Sequence, residues 1–126
     1  MAIYIKVGGV EYPAEPNYGG FDREWDGRET KTVRLWMTCS EAASLLPDNA
    51  QWAIVQHSVV DIPDENGMST GKKEDHIEEW DNSMYSKSGP IVDHRDGTVT
   101  IKMGKATEAE MLRAQLKAIE EAYDGV

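Results

Sequence analysis

Two stretches of apolar–polar alternation in this chain fold back on themselves. If Gly8-Gly9 forms a two-residue loop, Val7 faces Val10, Ile5 faces Tyr12 and Ile3 faces Ala14. All six then share one face of an antiparallel pair. The other face sets Lys6 against Glu11, an opposite-charge pair. The second turn is Asp96-Gly97, which suits a type I′ loop. It sets Arg95 opposite Thr98, His94 opposite Val99, Val92 opposite Ile101 and Pro90 opposite Met103. Asp93 with Thr100 and Ile91 with Lys102 make the largely polar face. One face toward a core and one toward water is the usual antiparallel arrangement.

A different period follows Gly104. Thr107-Glu108-Ala109-Glu110 reads as a capping box. Leu112, Leu116, Ile119 and Tyr123 then recur at i, i+4, i+7 and i+11, with Ala109 one turn earlier, and Asp124-Gly125 ends the run. That is one stripe of an α-helix, expected to pack on the sheet, with a partner-binding helix as the alternative.

Between these signals, 15–30 reads as irregular, rich in Gly, Pro and charge. Thr32 to Thr38 alternates, with Val33, Leu35 and Met37 on one face and Arg34 and Trp36 on the other. Thr38-Cys39-Ser40-Glu41 opens a short helix that runs to Leu46 and stops at Pro47-Asp48. Trp52 to Val60 is a strand, apolar on both faces at its start and so expected to be central. Residues 61–76 read as a mobile loop, and a further strand is expected within 77–87. The order lacks the regular alternation of a doubly wound sheet. The expected fold is α+β: a mainly antiparallel sheet, as a small barrel or sandwich, with one short internal helix and a C-terminal helix packed on it. The length of 126 residues fits a single domain over 1–126.

Composition sharpens this. Leu, Ile, Val and Phe together make only 23 of 126 residues, and the net charge is −10, a combination that borders on disorder. Four Trp, five Tyr and six Met supply apolar surface outside that count, so a folded domain is expected. The acidic balance disfavours nucleic acid and anionic membranes as partners. No apolar run approaches a membrane span. The first residues enter a strand without a signal-peptide pattern, and Cys39 is the only cysteine. Synthesis and folding in a reducing cytoplasm are expected, with no disulfide and no cysteine metal cluster.

Candidate chemistry fails on spacing. Gly67-Met68-Ser69-Thr70-Gly71-Lys72-Lys73 has three residues between its glycines, where a phosphate-binding loop has four, and Lys73 stands where Ser or Thr is needed. An EF-hand aligned on Gly67 would begin at Ile62 and end at Lys73, neither a carboxylate. Segment 61–81 carries Asp61, Asp64, Glu65, Glu74, Asp75, Glu78, Glu79 and Asp81 against Lys72 and Lys73. Solvated acids are the plain interpretation, and a basic partner or a cation the alternative. Asp93-His94-Arg95-Asp96 suggests acid–base chemistry, but the register puts His94 on the apolar face, partly buried, with Asp93 and Arg95 pointing away. His57 and His76 have no fixed relation to it. Cys39 at a helix start lacks an identified base. No catalytic, cofactor or metal residues are assigned, and no cofactor is expected.

Trp36 remains. Its strand already has an apolar face, so Trp36 projects from the other side, as does Arg34; either a second layer covers it or it is a surface anchor. Trp25, in the loop Asp22-Arg23-Glu24-Trp25-Asp26-Gly27-Arg28-Glu29, raises the same question. Trp36, Trp25 and Arg34 are therefore the candidate interface residues.

Trp25-Asp26-Gly27-Arg28-Glu29, followed by Val33, Leu35 and Met37, resembles the small late-gene proteins of phages and prophages of Gram-positive bacteria. So do Asp81-Asn82-Ser83 with Tyr85, then Gly89-Pro90-Ile91, Asp93-His94-Arg95-Asp96-Gly97-Thr98-Val99, Met103-Gly104-Lys105 and Thr107. The resemblance covers most of the chain apart from the acidic loop. It implies a virion structural or tail-assembly role without enzymatic activity, and supplies no site residues. The expectation is a non-enzymatic protein that self-associates or binds a protein partner, made in the cytoplasm and incorporated in a virion. The alternative is an acidic inhibitor or mimic that occupies a basic partner.

Overall fold

The computed structural model describes residues 2–124, without the side chains of Ser69, Tyr123 and Asp124. The place of the Tyr123 side chain on the helical stripe, and the stop at Gly125, thus lie outside the described residues. The elements in chain order are β1 (Ala2–Val7), β2 (Val10–Asp22), a 3₁₀ turn (Arg23–Trp25), β3 (Arg28–Leu35), α1 (Cys39–Leu45), β4 (Trp52–Pro63), β5 (Ser69–Asp81), β6 (Lys87–Asp93), β7 (Val99–Gly104) and α2 (Glu108–Asp124). The seven strands form an antiparallel sheet in the order β5-β4-β1-β2-β3-β7-β6. With its two helices, this is an α+β arrangement.

The first hairpin has the expected register from Tyr4–Pro13 to Val7–Val10, although Val10 is exposed and Ala14 pairs with Leu35 of β3. Ile5 pairs with Tyr12, Lys6 with Glu11 and Val7 with Val10. Gly8 and Gly9 take φ of 58° and 81°, left-handed values that a type I′ loop needs at both positions. Lys6, however, bonds Glu79 at 3.1 Å rather than Glu11, whose carboxylate meets His57 Nε2 at 2.7 Å.

The second hairpin is slipped by one residue from the expected register. Ile91 pairs with Ile101, Val92 with Thr100 and Asp93 with Val99. The loop has three residues rather than two: the His94 N–H donates to the Thr98 carbonyl, and Arg95 takes φ of 57°. Asp93 Oδ1 accepts the Arg95 N–H, and Asp96 Oδ1 accepts the Thr98 N–H. These side-chain turns outcompete the Asp-Gly dipeptide. A one-residue slip turns side chains to the opposite face. Ile91 thus replaces Val92 beside the core, Val92 is exposed, and His94 is exposed against Thr100 Oγ1 at 2.7 Å, not on a buried face.

Two segments expected to be irregular are strands. Residues through Asp22 continue β2, which pairs with β3 through a bulge between Tyr18 and Gly20. The segment 61–76 is the far end of the β4–β5 hairpin, with Asp61 opposite Lys73 and the turn at Asp64–Gly67, where Asp64 Oδ1 accepts the N–H groups of Asn66 and Met68. Both faces there are polar and solvated, so no period-2 signal marks the strands.

The first part of β2 pairs with β1 and the remainder with β3. Their inner side chains meet in one core: Ile5 and Trp52 from one half, and Val33, Leu35, Val99, Ile101 and Met103 from the other. Helix α1 closes it with Ala42, together with the residue that ends the helix, Leu46. Thr38 caps α1 by accepting the Glu41 N–H at 3.2 Å, as its sequence anticipates. Cys39 is half-buried against this core.

Candidate interaction surface

The C-terminal helix departs most from expectation. Its capping box forms in full: the Thr107 N–H donates to Glu110 Oε1 at 2.9 Å, and the Glu110 N–H donates to Thr107 Oγ1 at 3.2 Å. Beyond that turn the helix does not pack on the sheet. Every side chain from Met111 to Ala122 is exposed, including Leu112 at 57%, Leu116 at 58% and Ile119 at 54%. The sheet closes its core with α1, and the stripe of α2 is left uncovered.

The base of this helix is anchored. Arg28, on β3, has a buried side chain that donates from Nη1 to Glu110 Oε1 at 2.8 Å and to the Lys105 carbonyl at 3.1 Å. Its Nε donates to the Trp25 carbonyl, and its guanidinium lies 4.6 Å from the Trp25 ring centroid. Trp25 lies over two glycines. A Cβ on Gly89 would come within 2.7 Å of Trp25 Cη2, and one on Gly104 within 2.9 Å of Trp25 Cζ3. Only residues without a side chain admit the ring there. The Thr107 N–H, and then Arg28, pull the Glu110 carboxyl from its ordinary 4.5 to about 2.

Next to this anchor the inner face of β3 turns polar. Lys105 Nζ and the Tyr85 hydroxyl both bond Glu29 Oε2, at 2.7 and 2.8 Å, and lower its pKa. Burial, then Glu29, pushes the Tyr85 phenol up to about 12. Lys31 donates to Asn82 Oδ1 at 2.6 Å; burial, and then Lys105, lowers its pKa. An open cleft between the β2–β3 turn and α2 is lined by Phe21, Asp26, Arg28, Lys105, Glu110 and Arg113. Its central charges neutralise one another in these pairs, and no described buried side-chain N or O lacks a partner. The cleft is a built joint between sheet and helix, and its paired groups Arg28, Glu110, Lys105 and Glu29 are committed to that joint.

The candidate interface residues are not gathered into one surface. Trp36, just past β3, is 51% exposed and lines a shallow groove with Ile3, Pro13 and Pro16. Trp25 is half-buried in the joint described above. Arg34 is tied to the β6–β7 loop, through Nε to Thr98 Oγ1 at 3.1 Å and Nη2 to Asp96 Oδ2 at 3.0 Å. Arg28, which joins Trp25 to the base of α2, is obscured in the sequence by the Gly-, Pro- and charge-rich composition of 15–30. The Asp26-Gly27 turn directly ahead of it is the signal that could have revealed a hairpin.

The three histidines do not converge. His57 and His76 occupy adjacent positions of the β4–β5 ladder, and His76 bonds Glu78 at 3.0 Å. Among the described residues, no group of three His, Cys, Asp or Glu side chains is placed to hold a metal ion. The acids of β5 are strung along one strand. No described helix is long and apolar enough to cross a membrane. Comparison of the chain with protein-family models, curated proteins and solved structures finds no match.

Proposed function

We propose that the protein is a non-enzymatic structural or assembly protein of the phage and prophage tail-region type, working through protein–protein contacts made by α2. The observation that carries this reading is a helix firmly joined at its base whose apolar stripe meets only solvent. Isolated helices of this length are marginal in water and are normally stabilised by packing one face. A stripe that its own sheet leaves uncovered is suited to a surface supplied from outside. The sheet is a scaffold in this reading, curled as a small barrel or sandwich around its core, and the protein is made in the cytoplasm and incorporated in a virion.

The test is co-expression with the products of neighbouring genes. Leu112→Asp with Leu116→Asp should abolish complex formation while the circular dichroism of the sheet is kept. Complexes that survive this pair of substitutions would remove α2 from the reading.

The β4–β5 hairpin supports a second reading, an acidic mimic of a basic partner. Beyond Ser58 it pairs with no other strand among the described residues, and it displays Asp61, Asp64, Glu65, Glu74 and Asp75 to solvent. Salt separates the two. A charge mimic loses its partner steeply as ionic strength rises, and an apolar helix contact does not.

A further inference from the structure

We infer that the uncovered face of α2 is the seat for α2 of a second copy, in an antiparallel two-helix pair; this rests on the reading of α2 as the contact element. The stripe positions 109, 112, 116 and 119 are spaced three, four and three residues apart. That is the narrow seam of a coiled coil, where a helix that packs on a sheet carries a wider face. Lys117 and Glu121 lie away from this seam.

The charges beside the seam select the arrangement. Arg113 and Glu120 flank it on the same side, seven residues and so about 10 Å apart along the axis, too far to pair within one helix. In an antiparallel pair with Leu116 against Ile119 of the second copy, Arg113 falls beside Glu120 of that copy, and the reverse holds at the other end. A slip of one heptad sets Arg113 against Arg113 and is repelled. A parallel pair would hold two sheets at the same end of helices only 8–10 Å apart, because Arg28 fixes each sheet to the helix N-terminus. The antiparallel pair puts the sheets at opposite ends and opposes the helix dipoles. The seam is short, so the pairing is weak and depends on concentration.

Sedimentation of the full chain over a range of concentrations tests this, with dichroism and melting of dilute samples as the control for folding. The wild type should show a concentration-dependent dimer, and Leu116→Asp should remove it without changing the fold. Arg113→Glu and Glu120→Arg should each weaken the dimer by about five- to tenfold, since both flanking contacts turn repulsive. The two together should restore it to within about twofold. A dimer that ignores Leu116→Asp uses another surface and overturns the inference. A double variant that stays weak overturns the antiparallel pairing. If the wild type is a monomer, yet Leu116→Asp abolishes binding to a neighbouring gene product, the second copy is wrong and the contact-helix reading stands. If Leu116→Asp lowers the melting temperature of dilute protein by several degrees, the helix packs on its own sheet and both fail.

Discussion

Arg28 and Glu110 meet at 2.8 Å and join the third strand to the first turn of the last helix. The Arg28 side chain is 4% exposed, so the helix base is fixed to the sheet by a charge held inside it. Because the folded pKa of Glu110, about 2, lies below its ordinary 4.5, its contribution is complete above pH 4.5 and fades as pH falls toward 2. Helical dichroism should fall over that window in the wild type. Glu110→Gln should start with less helix and show a smaller change over the same pH range. Superimposable titrations of the two proteins would mean that the pair does not hold α2.

Trp25 and the glycines beneath it form a second joint. A methyl group at Gly89 would sit 2.7 Å from the Trp25 ring and 2.8 Å from the Lys102 carbonyl, and the latter cannot move without disturbing β7. Gly89→Ala should therefore cost about 1–3 kcal/mol in denaturant unfolding. At Gly104 the nearest atoms belong to the Arg28 and Trp25 side chains. Gly104→Ala should be less damaging, and its cost should shrink in a Trp25→Ala background. Additive costs at Gly104 would show that the ring does not press on that residue.

Leu116 is placed by sequence on a stripe that would be core in a helix packed on a sheet, where truncation costs about 2–5 kcal/mol. Its 58% exposure reverses that expectation. In protein dilute enough to be monomeric, Leu116→Ala should change unfolding free energy by no more than about 0.5 kcal/mol. A loss of 2 kcal/mol there would mean that the stripe is buried in solution.

What could be read in advance follows from where the signals are local. Gly8-Gly9 fixes its hairpin because both residues favour left-handed backbone, and Thr38 and Thr107 mark their helix starts because their caps need only residues three positions away. The Asp96-Gly97 hairpin lies one residue from its expected register because Asp93 and Asp96 each close a side-chain turn, and the pattern Ile91-Val92 is apolar in either register. The β4–β5 arm leaves no sequence signal because strands wet on both faces carry no alternation. The fate of α2 depends on competition for the core, which Ala42 of α1 and its C-cap residue Leu46 fill; the narrow stripe of the helix is a local sign, but it does not report that the seat is taken. Of the candidate interface residues, Trp36 was legible from strand parity. Arg34 shares that parity and Trp25 lies in a turn without it, and their partners, Asp96, Thr98, Gly89 and Gly104, are distant in the chain.

Trp36 supplies the remaining expectation. Its ring is half exposed beside Ile3, Pro13 and Pro16, at the end of a strand whose opposite face holds Val33 and Leu35 in the core. Removing the ring forfeits only its buried half, so Trp36→Ala should cost about 1–2 kcal/mol of stability and leave the dichroism of the fold intact. If the groove is part of a contact surface, the same substitution should weaken assembly by about 2 kcal/mol or more, as aromatic anchors at interfaces commonly do. The comparison with Leu116→Asp then decides how the surfaces are divided. Assembly lost with Leu116→Asp but untouched by Trp36→Ala confines the contact to α2. Assembly lost with both extends it to the sheet. An unfolded Trp36→Ala would mean that the ring is part of the core, and would remove the sheet groove from any account of assembly.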